Sequence, residues 1–268
     1  MVLEAEDDSV LDGNLVSFRS VLNPLVLDSL RDSVGTSDFS SQPTVRGRLK
    51  LCIHFWRSLG TSQFILNVIS QGYKIPFFEL PTPLLKANNA SALSNSSFVS
   101  KAVNELLQTN LVEEFFCVPN IVNPFSVSTR SPGKQRLILD LRHVNSFIFK
   151  QNFKCDLSVA IQIFDQGFHS FKFDLKSGYH HIEFFPAHRK FLTFAWDFGT
   201  GSFRYFQFCV LPFGLSSAPF IFTEMFKTLL KSWRSRGNPI AIFLDDGLGR
   251  GTDLVSNSIN SLVVFPTF

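Results

Sequence analysis

Paired cysteines, a basic leader and a long unbroken apolar run are all missing from this 268-residue chain. The four cysteines, Cys52, Cys117, Cys155 and Cys209, lie far apart without metal-ligand spacing, which excludes a zinc-finger pattern and favours reduced, mostly buried thiols in an intracellular protein. The first eight residues include four acids where a secretory signal is basic, so secretion is not expected. Prolines and a glycine interrupt the apolar-rich segment 205–223, so we expect a buried turn and helix there and no membrane span.

Composition favours a substantial core and a polyanionic partner. Apolar residues make up 45% of the chain, enough for one large domain or two small lobes. Phenylalanine outnumbers tyrosine by 32 to 3, and we expect most phenylalanines in the core rather than on base-stacking surfaces. Residues 1–40 carry eight acidic and two basic residues, net −6, whereas residues 41–268 are net +9. A basic body suits nucleic acid, although a solvated basic surface has the same composition.

Two adjacent carboxylates, Asp245 and Asp246, follow the apolar run 240–244 and precede Gly247. Because neighbouring strand residues face opposite ways, two such acids stay together only where the strand turns, and Asp-Gly is a hairpin-turn signal. Concentrated carboxylates repel unless cations lie between them, and sites with two divalent ions catalyse phosphoryl transfer in polymerases and nucleases. The alternative is an ordinary surface turn.

A third carboxylate, Asp174, ends the short alternating segment 171–174. A metal clamp for a nucleoside triphosphate needs acids from two neighbouring strands, since one turn cannot surround two ions. Asp174 meets this need if its strand pairs with the Asp245–Asp246 hairpin. It also has a structural interpretation, as a turn cap that Lys176 neutralises.

Two further segments complete the pattern. Leu211–Pro219, LPFGLSSAP, predicts a rigid turn that enters a helix, since Pro and Gly punctuate it. Its place between Asp174 and Asp245 resembles the palm of reverse transcriptases from retroviruses and retrotransposons. The upstream segment Arg136–Asn145 is similar to the fingers motif of the same family. Four motifs in this order are specific, whereas any one alone is not.

The closest similarity within that family is to DIRS-type retrotransposons, which encode a tyrosine recombinase. It rests on Gly178–Ile182 and His188–Leu192, and the whole resemblance covers roughly 49–253. The implied fold is α+β, the fingers and palm of the polymerase right hand, with helices on one face of an antiparallel sheet and the acids on the other.

This fold divides the chain into parts. We expect a disordered acidic leader over 1–45, fingers and palm over 46–253 (fingers about 97–155, palm about 156–253) and a divergent tail over 254–268. Only fifteen residues follow Asp253, so the thumb is expected to be absent and the element truncated or frameshifted.

Local patterns predict the secondary structure. We expect partial helix over 49–73 with breaks at Gly60 and Gly72, a polar loop over 88–97, and a short helix near 185–189. The helix with an apolar face contains Val99, Ala102, Val103, Leu106 and Leu107. The predicted strands cover 115–118, 125–129, 136–141, 170–176, 191–196 and 203–208, and a helix covers 218–233.

The resemblance assigns the metal chemistry. Asp174 and Asp245 hold two Mg²⁺ ions, with Mn²⁺ as an alternative, and Asp246 supports metal binding. Leu175 matches a position whose backbone carbonyl reaches the metal. The implied substrates are deoxynucleoside triphosphates and an RNA or DNA template with its primer.

The resemblance also assigns nucleotide contacts. Tyr179 matches the aromatic residue that excludes a ribose 2′-hydroxyl, with core packing as its alternative. Phe213 and Gly214 lie in the Leu211–Pro219 turn and match nucleotide-binding positions of the family. Phe213 replaces the Gln of retroviral enzymes. Arg136 matches the fingers arginine that contacts phosphates, and Lys134 could reach phosphate oxygens from the same hairpin, as could Arg130.

Other polar residues have competing interpretations. Lys231, Arg234 and Arg236 end the palm helix, where they either contact nucleic acid or complement the helix dipole. His180 and His181 invite a metal-pair interpretation, but on a strand one would pack and the other would be exposed.

Three function classes remain. The first is an RNA-directed DNA polymerase, and the second is an inactive remnant with at most weak nucleic-acid binding. The third is a different metal-dependent phosphotransferase or nuclease, which has no need for the Leu211–Pro219 turn, Tyr179 and Arg136 together.

Overall fold

The structure, a computed structural model, describes residues 45–131, 134–153, 169–175, 177–244 and 246–251. These residues form two compact units. The larger unit contains the described residues of 45–153 and 177–228, and the smaller contains those of 169–175 and 229–251. The predicted leader and tail lie outside the described residues.

Helices and antiparallel strands share both units, which confirms the predicted α+β class. The α-helices are α1 (Arg48–Leu51), α2 (Ile53–Ser58), α3 (Gln63–Gln71), α4 (Ala90–Leu93), α5 (Ser96–Gln108), α6 (Arg142–Asn145) and α7 (Ala218–Ser235). The strands are β1 (Leu84–Leu85), β2 (Val112–Phe115), β3 (Ile121–Val122), β4 (Phe125–Ser131), β5 (Lys134–Leu139), β6 (His169–Asp174), β7 (Thr193–Trp196), β8 (Arg204–Phe208), β9 (Ile240–Phe243) and β10 (Asp246–Gly251). Two 3₁₀ helices cover Gly178–His181 and Pro186–Phe191.

The larger unit is built on a three-stranded antiparallel sheet of order β2-β8-β7. Phe194 and Phe206 are cross-strand partners with stacked rings 5.3 Å apart, and the ring of Phe125 lies 4.5 Å from that of Phe194. All three are fully buried, so these phenylalanines form core, as predicted. Strands β4 and β5 pair as a separate antiparallel hairpin.

Helix α5 has the predicted apolar face. Val99 and Val103 are fully buried, and Leu106 packs against a buried cluster that includes Cys209. The indole N–H of Trp196 donates to the Ser100 hydroxyl at 2.9 Å, which ties the helix to strand β7. Periodicity alone therefore predicted which side of this helix is buried.

Two local predictions are wrong. The strand expected at 115–118 lies at Val112–Phe115, and Phe116 is 90% exposed. The charged residues Glu113 and Glu114 belong to this strand because Gln207 and Arg204 on β8 bind them. The polar loop expected over 88–97 contains helix α4 and the start of α5.

Asparagine side chains explain the second error. Asn88 accepts from the Phe125 N–H at 2.8 Å and donates to the Ala195 carbonyl at 3.0 Å, so it joins two strands. Asn95 donates to the Ser91 carbonyl at 2.8 Å. These side-chain amides fix the backbone of a segment whose polar composition alone is typical of a loop.

The smaller unit contains a three-stranded antiparallel sheet of order β6-β10-β9. Its central strand β10 pairs with both neighbours, so both of its backbone edges are hydrogen-bonded.

None of the described helices is long and apolar enough to cross a membrane. We expected mostly buried thiols; among the described cysteines Cys209 is buried, Cys52 is partly buried and Cys117 is exposed, and Cys155 lies outside the described residues.

Candidate active site

The acidic positions of the two sequence motifs meet in the smaller unit. Strand β6 ends at Asp174, strand β10 begins at Asp246, and the two are direct cross-strand partners. Residues directly opposite one another in an antiparallel pair share a face of the sheet. The side chain of Asp246 is 59% exposed, so this face is open to solvent. Asp245 and the side chain of Asp174 lie outside the described part of the structure.

The opposite face of this sheet fixes the register. Gly247 and Gly249 are partners of Phe173 and Phe171, and a Cβ atom at either glycine would lie 2.0 Å or 2.2 Å from the ring of its partner. The two phenylalanine rings are buried and stacked, with centroids 6.2 Å apart. They cover the glycine backbone, and a one-residue slip would move every side chain to the wrong face. Alternating Gly and Phe therefore hold Asp246 opposite Asp174.

The turn before Asp246 differs from the predicted one. Gly247 is part of strand β10, paired with Phe173 and with Ile242, rather than part of the turn. The positive backbone angle lies at Leu244, with φ of 56°. Such an angle is unusual for a residue with a Cβ atom and is found disproportionately at functional sites.

The donor chemistry of this sheet end suits a hard divalent cation. Carboxylate oxygens are the ligands that Mg²⁺ takes in proteins, and opposed carboxylates need a cation to offset their repulsion. Within the described residues, no cluster of three or more His, Cys, Asp or Glu side chains is present. The third acid, Asp245, is not among those residues. The acid positions therefore offer ligands of the kind that a divalent cation takes, and Asp246 is the one whose side chain the structure describes.

Tyr179 lies in the larger unit, in the 3₁₀ helix Gly178–His181. Its ring lies 5.1 Å from that of Phe213 and 4.9 Å from that of Phe222, centroid to centroid. Phe222 is buried in helix α7, whereas Phe213 is exposed. The structure thus brings together Tyr179 and Phe213, two of the predicted nucleotide residues, with one ring supported from the core and the other open to solvent.

A side-chain amide holds the Leu211–Pro219 turn in place. Asn145 donates to the Gly214 carbonyl at 2.9 Å and accepts from the Ser216 N–H at 2.8 Å. Gly214 has φ of 105°, and a Cβ atom there would lie 2.7 Å from the Leu139 carbonyl oxygen. The turn therefore needs glycine at this position both for its backbone angle and for its close approach to strand β5.

Asn145 was not singled out from the sequence, although it ends the fingers motif. Its two partners are distant in sequence, and a pairing of this kind has no local signal. The structure joins two of the resembling motifs, Arg136–Asn145 and Leu211–Pro219, through this one side chain.

The predicted phosphate-binding hairpin is present as strands β4 and β5. Arg136 lies opposite Ser128, and its side chain is exposed. The tip of the hairpin and the side chains of Arg130 and Lys134 lie outside the described residues. Arg136 is therefore available to a ligand.

The basic residues near the end of α7 differ from one another. Lys231 and Arg236 are exposed. The Arg234 guanidinium instead donates to the Ile240 carbonyl at 3.0 Å, which ties the helix to strand β9. Arg234 therefore has a structural contact of its own, while the other two side chains face solvent.

The expectation for His180 and His181 is wrong. The segment is a 3₁₀ helix rather than a strand, and both side chains are largely enclosed. Burial lowers the pKa of His180 to about 4. Burial, together with the nearby Arg48 charge, lowers the pKa of His181 to about 4. Both are therefore neutral at pH 7.

An exposed aromatic surface was also not singled out from the sequence. Phe78 and Phe149 are 54% and 59% exposed, and their rings pack edge to face at 5.6 Å. Phe147 stacks on Phe78 at 6.4 Å, and the exposed Lys150 follows Phe149. We call these three phenylalanines the aromatic surface; adjoining aromatic rings and basic side chains are typical of single-stranded nucleic-acid binding.

A family model described as "Reverse transcriptase (RNA-dependent DNA polymerase)" matches residues 92–250 of the chain. The Transposon Tf2-3 polyprotein of Schizosaccharomyces pombe is 24% identical over 185 residues, which cover 69% of this chain and 12% of that protein. The genome polyprotein of Petunia vein clearing virus is 30% identical over 152 residues, which cover 54% of this chain and 6% of that protein. The chain therefore matches only a small fraction of the length of these relatives.

Solved structures show the same fold. The native prototype foamy virus protease-reverse transcriptase superposes with a TM-score of 0.57 at 19% identity, covering 72% of this chain and 25% of that one. The foamy viral protease-reverse transcriptase in complex with RNA/DNA hybrid gives a TM-score of 0.57 at 17% identity, with the same coverage. At these identities the similarity concerns the fold alone.

Proposed function

The chain belongs to the reverse transcriptase (RNA-dependent DNA polymerase) family, and we propose that it catalyses template-directed transfer of deoxynucleotides to a primer as part of a retrotransposon or retroviral polyprotein. The observation that carries this proposal is the cross-strand pair Asp174 and Asp246. This pairing brings the strand that ends at Asp174 beside the strand that follows Asp245, as a two-metal site built from the acids of both motifs needs.

We assign the metal ligands as the family resemblance implies. Asp174, Asp245 and the carbonyl of Leu175 bind two Mg²⁺ ions, or Mn²⁺ in their place, and Asp246 supports them. When bound, the ions supply charge that activates the primer 3′-hydroxyl and stabilises the departing pyrophosphate. The Phe–Gly packing of strands β6 and β10 keeps the acid positions opposite one another, so the protein contributes fixed geometry.

The nucleotide is held by residues of the larger unit. Tyr179 packs beneath the sugar and excludes a 2′-hydroxyl by shape. Phe213 offers an exposed ring beside Tyr179 and provides apolar contact where retroviral enzymes have a Gln side chain. Gly214 allows the close approach of the turn to strand β5. Arg136 and Lys134 contact the triphosphate from the fingers hairpin, where Arg can bind two phosphate oxygens at once.

The macromolecular partner is an RNA or DNA template with its primer. The foamy viral proteins of the same fold were solved with double-stranded DNA and with RNA/DNA hybrid. Lys231 and Arg236 provide exposed positive charge for the nucleic-acid backbone. Arg234 adds a further positive charge while its guanidinium donates to the Ile240 carbonyl. The aromatic surface with Lys150 offers rings on which unpaired template bases can stack.

Two finer assignments complete the proposal. We assign fingers to about 97–155 and palm to about 156–253. We also assign the element to the DIRS type, on the segments Gly178–Ile182 and His188–Leu192. Translation of the neighbouring DNA tests the second assignment, since a DIRS-type element encodes a tyrosine recombinase.

Primer extension tests the function. The chain is incubated with a primed RNA template, the four deoxynucleoside triphosphates and Mg²⁺, beside the matched variant Asp245→Asn. Extension by the unmodified chain and its loss in the variant supports the proposal. No difference between the two proteins supports the alternative, a catalytically inactive remnant. Cleavage of the nucleic acid without extension supports a nuclease.

A further inference from the structure

A lysine lies on the acidic face of the smaller sheet. The ammonium nitrogen of Lys172 lies 3.7 Å from Oδ1 of Asp246, with 69% and 59% of the two side chains exposed. Lys172 precedes Asp174 by two positions on strand β6, and its own cross-strand partner is Leu248. Residues two apart on a strand share a face, so Lys172 and both acid positions lie on one face of the sheet.

This contact places a positive charge beside an acid that supports the proposed metal. Lys172 has no role in the family assignment above. The sequence suggested a different lysine, Lys176, as the residue that neutralises Asp174. An ammonium beside a carboxylate repels an incoming dication, so the pair attracts the dication less strongly than the carboxylate would alone. Exposed pairs of this kind are weak individually, so the lysine can be displaced.

We propose that Lys172 is an internal counter-ion of Asp246 that lowers the affinity of the acidic face for divalent cations. The inference rests on the proposed metal site. In the metal-free chain, the ammonium offsets repulsion between the opposed acid positions. When a dication binds, the same ammonium repels it. Lys172 thus raises the cation concentration at which the site fills, and it stabilises this end of the sheet when no metal is bound.

Two opposite effects of a single substitution distinguish this role from simple packing. Lys172→Gln keeps much of the length of the side chain and removes its charge. We expect the variant to unfold at lower temperature without metal, because the acids lose their counter-ion, and to bind Mn²⁺ about two- to fivefold more tightly. A purely structural lysine would lower the melting temperature without tightening Mn²⁺ binding.

The experiment measures Mn²⁺ binding to the full chain at low ionic strength, by electron paramagnetic resonance of the free ion. Lys172→Arg keeps the charge and is expected to bind as the unmodified chain does. Lys231→Gln removes an exposed charge elsewhere in the same unit and controls for net charge. In an Asp246→Asn background, Lys172→Gln is expected to tighten Mn²⁺ binding less than it does in the unmodified chain, because the carboxylate that holds the ammonium beside the site is gone.

The outcomes separate the two claims. If Asp174→Asn and Asp245→Asn weaken Mn²⁺ binding while Lys172→Gln leaves it unchanged, the counter-ion role is wrong and the metal site stands. If Lys231→Gln tightens binding as much as Lys172→Gln, the effect is general electrostatics and the counter-ion role is again wrong. If neither acid substitution alters Mn²⁺ binding, both the counter-ion role and the proposed metal site are wrong.

Discussion

Asp174 and Asp246 are direct cross-strand partners, at the end of strand β6 and the start of strand β10. Two distant acidic motifs thereby reach one end of one sheet. The register that opposes them depends on the other face, where Phe171 and Phe173 cover Gly249 and Gly247. Chemistry on one face therefore depends on packing on the other.

Gly247→Ala should destabilise the smaller unit by about 1–3 kcal/mol, because the new methyl group overlaps the buried Phe173 ring. Thermal and urea unfolding measure the change. The double variant Gly247→Ala, Phe173→Leu serves as the control, since the smaller side chain makes room for the methyl group. We expect the double variant to lose less stability than the two single losses combined. Additive losses would show that the glycine and the ring do not interact.

Tyr179→Ala should raise ribonucleotide incorporation relative to deoxynucleotide incorporation by about tenfold or more, because the ring that excludes the 2′-hydroxyl is removed. Single-nucleotide incorporation with each class of triphosphate gives the ratio. Tyr179→Phe retains the ring and its contacts with Phe213 and Phe222, and should discriminate as the unmodified chain does. Unchanged discrimination in the alanine variant would leave Tyr179 as core packing only.

Asn145→Ala should cost about 1–2 kcal/mol of stability and loosen the Leu211–Pro219 turn, because the Gly214 carbonyl and the Ser216 N–H both lose their partner. Hydrogen exchange at the Ser216 amide is the specific measurement, and we expect it to be faster in the variant. Asn145→Asp keeps an acceptor for Ser216 and loses the donor to Gly214, so exchange there should stay slower than in the alanine variant. Equal exchange in the alanine variant and the unmodified chain would contradict the role of the amide.

Acidification should destabilise the larger unit between pH 6.5 and pH 4. Burial holds the pKa of His180 and of His181 at about 4 in the folded chain, below the ordinary value of 6.5. The unfolded chain therefore binds more protons than the folded chain in this window. The contribution of the two neutral histidines to the free energy of unfolding is complete above pH 6.5 and is lost as the pH falls towards 4. We expect the two histidines together to account for a loss of about 2–4 kcal/mol between pH 7.5 and pH 5.

Urea unfolding at a series of pH values measures this loss. His180→Gln and His181→Gln should each flatten the profile, because the group that takes up the proton is gone. His54→Gln, at an exposed histidine, is the control for loss of an imidazole. A profile of unchanged slope in both buried-site variants would assign the acid sensitivity to other groups.

The sequence predicted the features that depend on local periodicity and on motif order. The apolar face of α5, with Val99 and Val103, follows from helical spacing, and the α+β class follows from the order of predicted strands and helices. Strands β7 and β8 lie within the predicted ranges because their alternating aromatic residues suit a buried sheet.

Features that depend on distant partners could not be predicted in this way. Glu113 and Glu114 form a strand because residues on β8 bind their carboxylates. The apolar residues after them have the composition of a strand but include the exposed Phe116. The 3₁₀ helix that contains His180 and His181 has only four residues, too few to show a period that would distinguish it from a strand in the sequence. The contacts of Asn145 and Lys172 join segments that only the fold brings together.

Single-nucleotide addition on primed RNA templates that differ in one base tests the central claim most directly. With Mg²⁺ present, the unmodified chain should add the deoxynucleotide complementary to each template base, and Asp245→Asn should add none above background. Equal addition by the two proteins, or addition that ignores the template base, would contradict the account of this chain as a template-directed DNA polymerase.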